Sequence, residues 1–214
     1  MPVPSYHDFA GAQTTVGHAW TGIWGGLQVQ TPYYGTQARP RYSFVAPWYM
    51  VLASSPYGLW FTQVGWAQTN WTGSLQPHVF QYDSAVGAWE FFDQYSLIDG
   101  QTYDFALFRG ADVGGQQEWA TAIWWDNAWQ TLTVGDFPAG DTLLSEQVEV
   151  YNDLDNPAFL PYFDEMTNSP SYISDDYGSG SLWTAATPTQ GNEVAPYCFD
   201  APNPYYLWDV WRCS

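Results

Sequence analysis

Lysine is missing from this sequence altogether, and the four cations present are all arginines, set against 22 aspartates and glutamates. The formal net charge is -18 at pH 7. Nucleic-acid binding needs clustered lysine and arginine to neutralise phosphates, so nucleic acid is excluded as a partner. The repulsion among the carboxylates fades as they protonate near pH ~4, which favours an acidic environment. The alternative is that the acidic residues only keep an aromatic-rich chain soluble.

Long apolar runs are missing as well. No stretch approaches the roughly 18 residues of a transmembrane helix, so no membrane insertion is expected. The first residues also lack the basic and apolar regions of a signal peptide. The acidic, lysine-free composition nevertheless predicts a secreted, extracellular protein, in which case Met1 is not the original start.

Cysteine and histidine are scarce. The two cysteines, Cys198 and Cys213, would close a short loop as a disulfide in an oxidising compartment, and two free buried thiols are the alternative. The three histidines, His7, His18 and His78, are scattered without the spacing of metal ligands. We therefore expect neither a metal site nor a cofactor.

Aromatic residues, by contrast, make up 20% of the chain. Short β-prone stretches alternate with Gly, Pro, Asn and Asp, and no segment shows a sustained helical period. This pattern predicts an all-β protein of about nine strands, a sandwich or a barrel. The predicted strands are Trp20–Gln30, Tyr42–Ala53, Leu59–Gln68, His78–Tyr82, Ala88–Tyr95, Thr102–Phe108, Glu118–Trp125, Ala128–Val134 and Leu143–Tyr151.

The length fits a single domain over residues 1–214. Residues 1–19 are expected to form an N-terminal arm. Residues 152–214, rich in Pro, Asn, Asp, Ser and Gly, are expected to form a loop-rich extension with further strands at Ser181–Ala186 and Tyr205–Arg212.

Strand alternation assigns side chains to faces. Gln63 falls on the face of its strand opposite Trp66. Glu149 falls on a polar face with Gln147 and Tyr151, whereas Glu146 falls among apolar neighbours. A sheet face that combines amides, carboxylates and aromatic rings is typical of a groove for an extended polymer. Candidate groove residues are Glu90, Trp66, Trp89, Trp125 and Tyr151, although large aromatic residues of a sandwich also serve as core.

Four short runs resemble the eqolisin type of glutamic peptidase: WFTQVG at 60–65, AWEFF at 88–92, IDGQTY at 98–103 and EQVEV at 146–150. The resemblance implies a concanavalin-like, jelly-roll antiparallel β-sandwich and a secreted, acid-active endopeptidase. The residues after Asn156 have no counterpart in these motifs, so a distant bacterial branch or the related neprosin group is the alternative.

The resemblance also implies a catalytic pair, a Gln followed two positions later by Gly and a Glu on a later strand. Gln63 matches the first. The family usually has an Ala-Glu-Trp-Ile-like run at its Glu strand and this chain has SEQV at 145–148, so Glu146 and Glu149 both remain candidates. The face argument favours Glu149. This glutamate would activate a water, and the Gln63 amide would donate a hydrogen bond to the oxyanion of a polypeptide substrate.

Other functions stay open on the sequence. A carbohydrate-binding module would use the same aromatic face to hold a polysaccharide without turnover. A glycoside hydrolase would use two carboxylates, for which Glu90 and Glu149 are candidates. A surface-layer protein would use exposed aromatic side chains in assembly. No Gly-x-Ser-x-Gly run occurs, so a serine hydrolase of that type is not expected.

Overall fold

The computed structural model describes residues 6–31, 43–55, 58–72, 76–153, 163–176, 179–193 and 195–213. Every regular element in these ranges is a β-strand, which confirms the predicted all-β class. None of the described residues forms a helix that could cross a membrane. The strands are β1 (Tyr6–Thr14), β2 (Gly22–Gln28), β3 (Ser43–Ser55), β4 (Gly58–Thr69), β5 (His78–Asp83), β6 (Ala88–Phe92), β7 (Thr102–Val113), β8 (Gln116–Trp125), β9 (Ala128–Pro138), β10 (Thr142–Asn152), β11 (Met166–Asn168), β12 (Ser171–Asp176), β13 (Ser179–Leu182), β14 (Thr189–Asn192), β15 (Tyr197–Asn203) and β16 (Leu207–Arg212).

These strands form three antiparallel sheets. A seven-stranded sheet has the order β14-β1-β10-β3-β4-β5-β6, and a six-stranded sheet has the order β13-β12-β2-β7-β8-β9. A small third sheet has the order β11-β16-β15. A disulfide between Cys198 and Cys213 joins β15 to the residue that follows β16.

The two larger sheets pack face to face around the main core. The alternation of β4 shows how the sequence produces this: Val64 and Trp66 point inward and are fully buried, while Gln63 points to the other side. Trp119 and Ile123 of β8 meet them from the six-stranded sheet. Trp66 also donates an indole hydrogen bond to the Gln28 carbonyl oxygen at 3.1 Å, so its single polar atom is paired inside the core.

The seven-stranded sheet is buried on both of its faces. A second apolar cluster lies on the face that points away from the six-stranded sheet, and all its buried members belong to strands of the seven-stranded sheet. These buried members are Phe44, Ala46, Trp48, Met50, Ala67 and Phe80. Burial on both faces explains why β3 is almost continuously apolar rather than alternating.

All nine predicted strands are present, with ends that shift by a few residues. Tyr42, the first residue of the second predicted strand, lies outside the described residues. Two differences are larger. Residues 6–14 of the expected N-terminal arm form β1, between β10 and β14. The expected loop-rich extension contributes six strands, of which β14 completes the first sheet and β12 and β13 complete the second.

The sequence of β1, YHDFAGAQT, hides the strand because Asp, Gly and Ala interrupt it and its one β-branched residue, Thr14, stands at its end. Gly11 is needed there. A Cβ on Gly11 would collide with the backbone of Glu146 and Gln147 on β10, so the close approach of the two strands requires glycine.

Candidate active site

A groove of about 570 Å³ lies on the outer face of the seven-stranded sheet, the face that points away from the second sheet. Its lining is mostly aromatic and apolar, with four amides, one imidazole and one carboxylate. The lining residues are His7, Phe9, Gln13, Phe44, Trp48, Met50, Leu52, Leu59, Phe61, Gln63, Tyr82, Trp89, Gln147, Glu149, Tyr151 and Asn192.

Glu149 is the carboxylate of this groove, and its side chain is only 8% exposed. One oxygen, Oε1, lies 2.5 Å from His7 Nε2, and the other, Oε2, accepts a hydrogen bond from Trp48 Nε1 at 3.0 Å. A carboxylate surrounded by aromatic rings requires such polar partners. The two contacts fix the orientation of the carboxylate. The His7 side chain is 44% exposed, so it lies between the nearly buried carboxylate and the solvent.

Strand pairing brings the three residues of this contact together. Glu149 lies opposite Phe9 of β1 and opposite Ala46 of β3. Trp48, two residues beyond Ala46, shares its face. His7, two residues before Phe9, likewise shares its face and packs edge-on to Tyr151 with ring centroids 5.6 Å apart.

Gln63 lies on the same outer face, on β4, and is 6% exposed. It is opposite Met50 of β3, which in turn is opposite Ser145 of β10. Gln147, two residues after Ser145 on β10, lies opposite Trp48 of β3. The amide of Gln147 therefore lies between the level of Gln63 and the level of Glu149.

The register sets the separation of Gln63 and Glu149. Glu149 lies four residues along β10 from Ser145, the residue level with Gln63, and β3 runs between the two strands. With ~3.3 Å per residue and ~4.8 Å between strands, the two Cα atoms are about 16 Å apart. Gln63 and Glu149 thus face the same groove without touching, and Gln147 is the amide nearest to Glu149.

Stacked aromatic side chains form the walls. On one side Phe44 stacks on Tyr151 with centroids 5.5 Å apart and meets Trp89 at 5.1 Å. On the other side Phe61 stacks on Tyr82 at 5.6 Å. Trp89 and Tyr151, both expected in the groove, are placed there.

Three of the other expected groove residues lie elsewhere, which corrects the sequence interpretation. Trp66 is fully buried in the core between the sheets. Trp125 belongs to β8 of the second sheet, where it stacks on Tyr103 with centroids 5.8 Å apart. Glu90 is exposed and lies opposite Gln81 of β5, which shares the inner face with Val64.

The position of Glu90 also shows that Glu90 and Glu149 cannot be the two catalytic carboxylates of a glycoside hydrolase. Glu149 points to the outer face of the seven-stranded sheet, and Glu90 belongs to the other face. Since a two-carboxylate mechanism needs both groups on one sugar, a sheet between Glu90 and Glu149 excludes it for this pair.

Glu146 lies between the sheets. It is opposite Tyr49, is fully buried, and makes no well-formed hydrogen bond with either carboxylate oxygen among the described residues. Burial raises the pKa of Glu146 well above its ordinary value, and the nearby Ser171 hydroxyl opposes this only in part. Burial, together with the Glu146 charge, likewise raises the pKa of Tyr49. Glu146 therefore takes no part in the groove.

Three further groove residues, His7, Trp48 and Gln147, are not among the site residues that the sequence predicts. His7 falls in the expected N-terminal arm, because its place in the site depends on pairing with β10, which lies far away in the sequence. Trp48 sits in a continuously apolar run, where alternation carries no information about faces. Gln147 lies two residues before Glu149 on a predicted strand, so alternation places both side chains on one face. This spacing is the signal in the sequence that Gln147 belongs to the site.

Potential metal ligands converge at one place within the described ranges, where Glu193 lies near Cys198 and Cys213. The disulfide between the two cysteines removes both thiolates. This cluster therefore offers one carboxylate, which is not a metal site.

No protein-family model matches the sequence, and no curated protein matches it. Solved structures do match. Scytalido-glutamic peptidase with a transition-state analogue inhibitor superposes over 98% of this chain and 100% of its own, with a TM-score of 0.61 at 10% sequence identity. The chain has the eqolisin fold. A second structure of that peptidase, with a peptide-based transition-state analogue, gives a TM-score of 0.60 at 10% identity, again over 98% and 100% of the two chains.

A third eqolisin structure, SCP-B in complex with the tripeptide Ala-Ile-His, superposes over the same shares with a TM-score of 0.58 at 9% identity. These three structures are thus peptidases with the eqolisin fold. The superpositions extend over 98% of the chain, so the residues after Asn156, for which the sequence motifs offer no counterpart, are almost entirely included.

Proposed function

We propose that this protein is a secreted, acid-active peptide hydrolase in which Glu149 is the general base. The observation that carries the proposal is the position of Glu149: a nearly buried carboxylate, oriented by His7 and Trp48, in the groove of an eqolisin fold. The groove is open along the sheet and lined with aromatic rings, which suits an extended polypeptide.

In the proposed reaction, ionised Glu149 takes a proton from a water as that water attacks the scissile carbonyl carbon. The same carboxyl then returns the proton to the leaving amine. An amide N–H of the groove donates to the oxyanion, an interaction worth about 3 to 4 kcal/mol of the barrier. We assign this donor to Gln63. Because an amide stays neutral at every pH, the arrangement works in acid.

The separation of Gln63 and Glu149 makes Gln147 the competing donor, since it lies on the strand of Glu149 and two residues from it. A pair of matched variants separates the two. Gln63→Ala is expected to lower kcat about 100-fold or more, with Gln147→Ala changing it far less. The opposite order would transfer the donor role to Gln147.

The experiment that tests the proposal is hydrolysis of an unfolded protein from pH 2 to 7 by the wild type and by Glu149→Gln. Activity that peaks below pH 5 and is lost in the variant is expected. Glu90→Gln is the control, because Glu90 is exposed and belongs to the other face. No cleavage by the wild type at any pH would refute the proposal.

A second candidate function is a carbohydrate-binding module that uses the same groove without turnover. The offset between Gln63 and Glu149 favours it, as do the aromatic walls that include Phe61, Tyr82 and Trp89. It predicts retention of the protein on a polysaccharide, lost in Trp89→Ala, with no hydrolysis of polypeptide.

A further inference from the structure

A second aromatic surface lies on the opposite side of the molecule, on the outer face of the six-stranded sheet. Its rings form a connected row. Tyr172 stacks on Trp24 with centroids 5.5 Å apart, Trp24 meets Phe108 at 5.8 Å, and Phe108 meets Trp129 at 5.3 Å. Trp129 in turn meets Trp124 at 5.5 Å. We call these five residues the aromatic platform.

The platform faces away from the core. Trp24 lies opposite Ala106, which lies opposite Ala122, while the neighbouring residue Ile23 points into the core. From β12 to β9 the row crosses four strand spacings, about 19 Å. Trp124, at its end, is 41% exposed.

Small residues lie beneath the rings. Ala106 and Ala122 are buried although they point outward, so the aromatic side chains cover them. A Cβ on Gly180 would collide with the six-membered ring of Trp24, and a Cβ on Gly22 would lie 3.3 Å from that ring. The Trp24 indole therefore lies against the sheet rather than standing up from it.

A polar pocket of about 430 Å³ continues the platform at Trp124. Its other lining residues are Thr102, Tyr103, Asp104, Trp125, Asp126 and Asn127. The lining supplies hydroxyl, carboxylate and amide oxygens and contains no cation. Desolvation raises the pKa of Asp104, which favours the protonated form of this group as the pH falls, and a protonated carboxyl can both donate and accept a hydrogen bond.

These features select the ligand chemistry. An anionic polymer is excluded by the net charge of -18 and by the acidic pocket. The Trp24 ring, which lies on the sheet, matches the apolar face of a sugar ring, and the edge-on rings of Phe108, Trp129 and Trp124 continue the apolar contact along the row. Oxygen-rich side chains at the end of the row match the sugar hydroxyl groups. We propose that the aromatic platform and its pocket bind a neutral polysaccharide, at a site separate from the groove and independent of its function.

The test is retention of the wild-type protein at pH 4 on insoluble cellulose, chitin and a neutral β-glucan. We expect retention on at least one of them that is unchanged by 0.5 M NaCl, because no ion pair is involved. Trp124→Ala and Trp24→Ala are each expected to lower retention about tenfold. Val113→Ser, a change at another exposed apolar position of the same sheet, is the control and is expected to have no effect.

Circular dichroism of each variant checks that the fold is kept, and Trp124→Ala, at a partly exposed site, carries the conclusion if Trp24→Ala fails to fold. Three results would overturn the proposal. In the first, the wild type is retained on none of the three polymers. In the second, retention survives both platform variants but is lost in Trp89→Ala, which places binding in the groove. In the third, the protein binds only a polycationic peptide, and this binding is lost in salt.

Discussion

Two glutamates three residues apart on β10 have opposite surroundings. Glu149 faces the groove, where His7 and Trp48 contact its two oxygens. Glu146 faces the interior, where both oxygens are buried without a well-formed hydrogen bond and the pKa is raised. The odd spacing puts the two side chains on opposite faces of one sheet. The difference teaches that the residue type alone does not make a carboxylate a candidate for catalysis; the sheet face on which it lies and its hydrogen-bond partners do.

The largest expected difference between the two glutamates is in catalysis. Glu149→Gln is expected to lower kcat for peptide hydrolysis by about 10³-fold or more, because it removes the proton acceptor while keeping the shape. Glu146→Gln is expected to stay within about threefold of the wild type at pH 4. Steady-state kinetics on one peptide substrate measure both. Equal losses in the two variants would contradict the assignment of roles to faces.

The two faces can next be compared through their tryptophans. Trp66→Ala removes a fully buried core ring and is expected to destabilise the protein by about 3 to 5 kcal/mol. Trp89→Ala, at a half-buried site in the groove, is expected to cost less stability and mainly to raise KM. Denaturant unfolding gives the first quantity and kinetics the second. A larger loss of stability in Trp89→Ala would reverse the comparison.

Glu146 makes stability depend on pH. Its folded-state pKa is raised, so its stabilising effect is complete below the unfolded-state pKa of about 4.3 and is lost as pH rises through the folded-state value. Within that window the free energy of unfolding falls by up to ~1.4 kcal/mol per pH unit. Glu146→Gln is expected to remove this contribution.

The measurement is denaturant unfolding of the wild type, Glu146→Gln and Glu149→Gln from pH 3 to 7. The difference between Glu146→Gln and the wild type should grow with pH. If that difference stays constant across the range, Glu146 does not ionise during unfolding in the way its burial implies.

The smallest effect concerns His7, whose ring contacts Glu149 from a half-exposed position. His7→Gln keeps a hydrogen-bonding group near Oε1 and is expected to lower kcat about threefold, whereas His7→Ala lowers it about tenfold. Stability should fall by about 1 kcal/mol in His7→Ala, which leaves one oxygen of a nearly buried carboxylate without its partner, and by less in His7→Gln. A larger loss in the glutamine variant than in the alanine variant would show that the contact does not position the carboxylate.

Much of the fold follows from local patterns. Nine strands with turn residues between them were readable in the sequence, and alternation placed Gln63 and Trp66 on opposite faces of β4. The same rule separated Glu149 from Glu146. These features depend on residues two or three apart, which a sequence shows directly.

The rest depends on pairing between distant strands. Nothing local in β1 shows that His7 meets Glu149, and the position of Glu90 relative to the groove follows from its register with β5. Trp125 lies on a predicted strand, but the local sequence does not show which of the two sheets contains that strand. Sequence alternation gives two faces for each strand and leaves open which faces of different strands come together.

The pairing of β1 also bears on how the groove is completed during folding. His7 and Glu149 are 142 residues apart in the chain, and β14, from still later in the sequence, covers the other edge of β1. Contacts of such long sequence separation form slowly, because the entropy of closing the loop is lost before the contact is gained. During synthesis the groove thus stays without its β1 wall until β10 has been made, and a chain interrupted before that point has no oriented carboxylate.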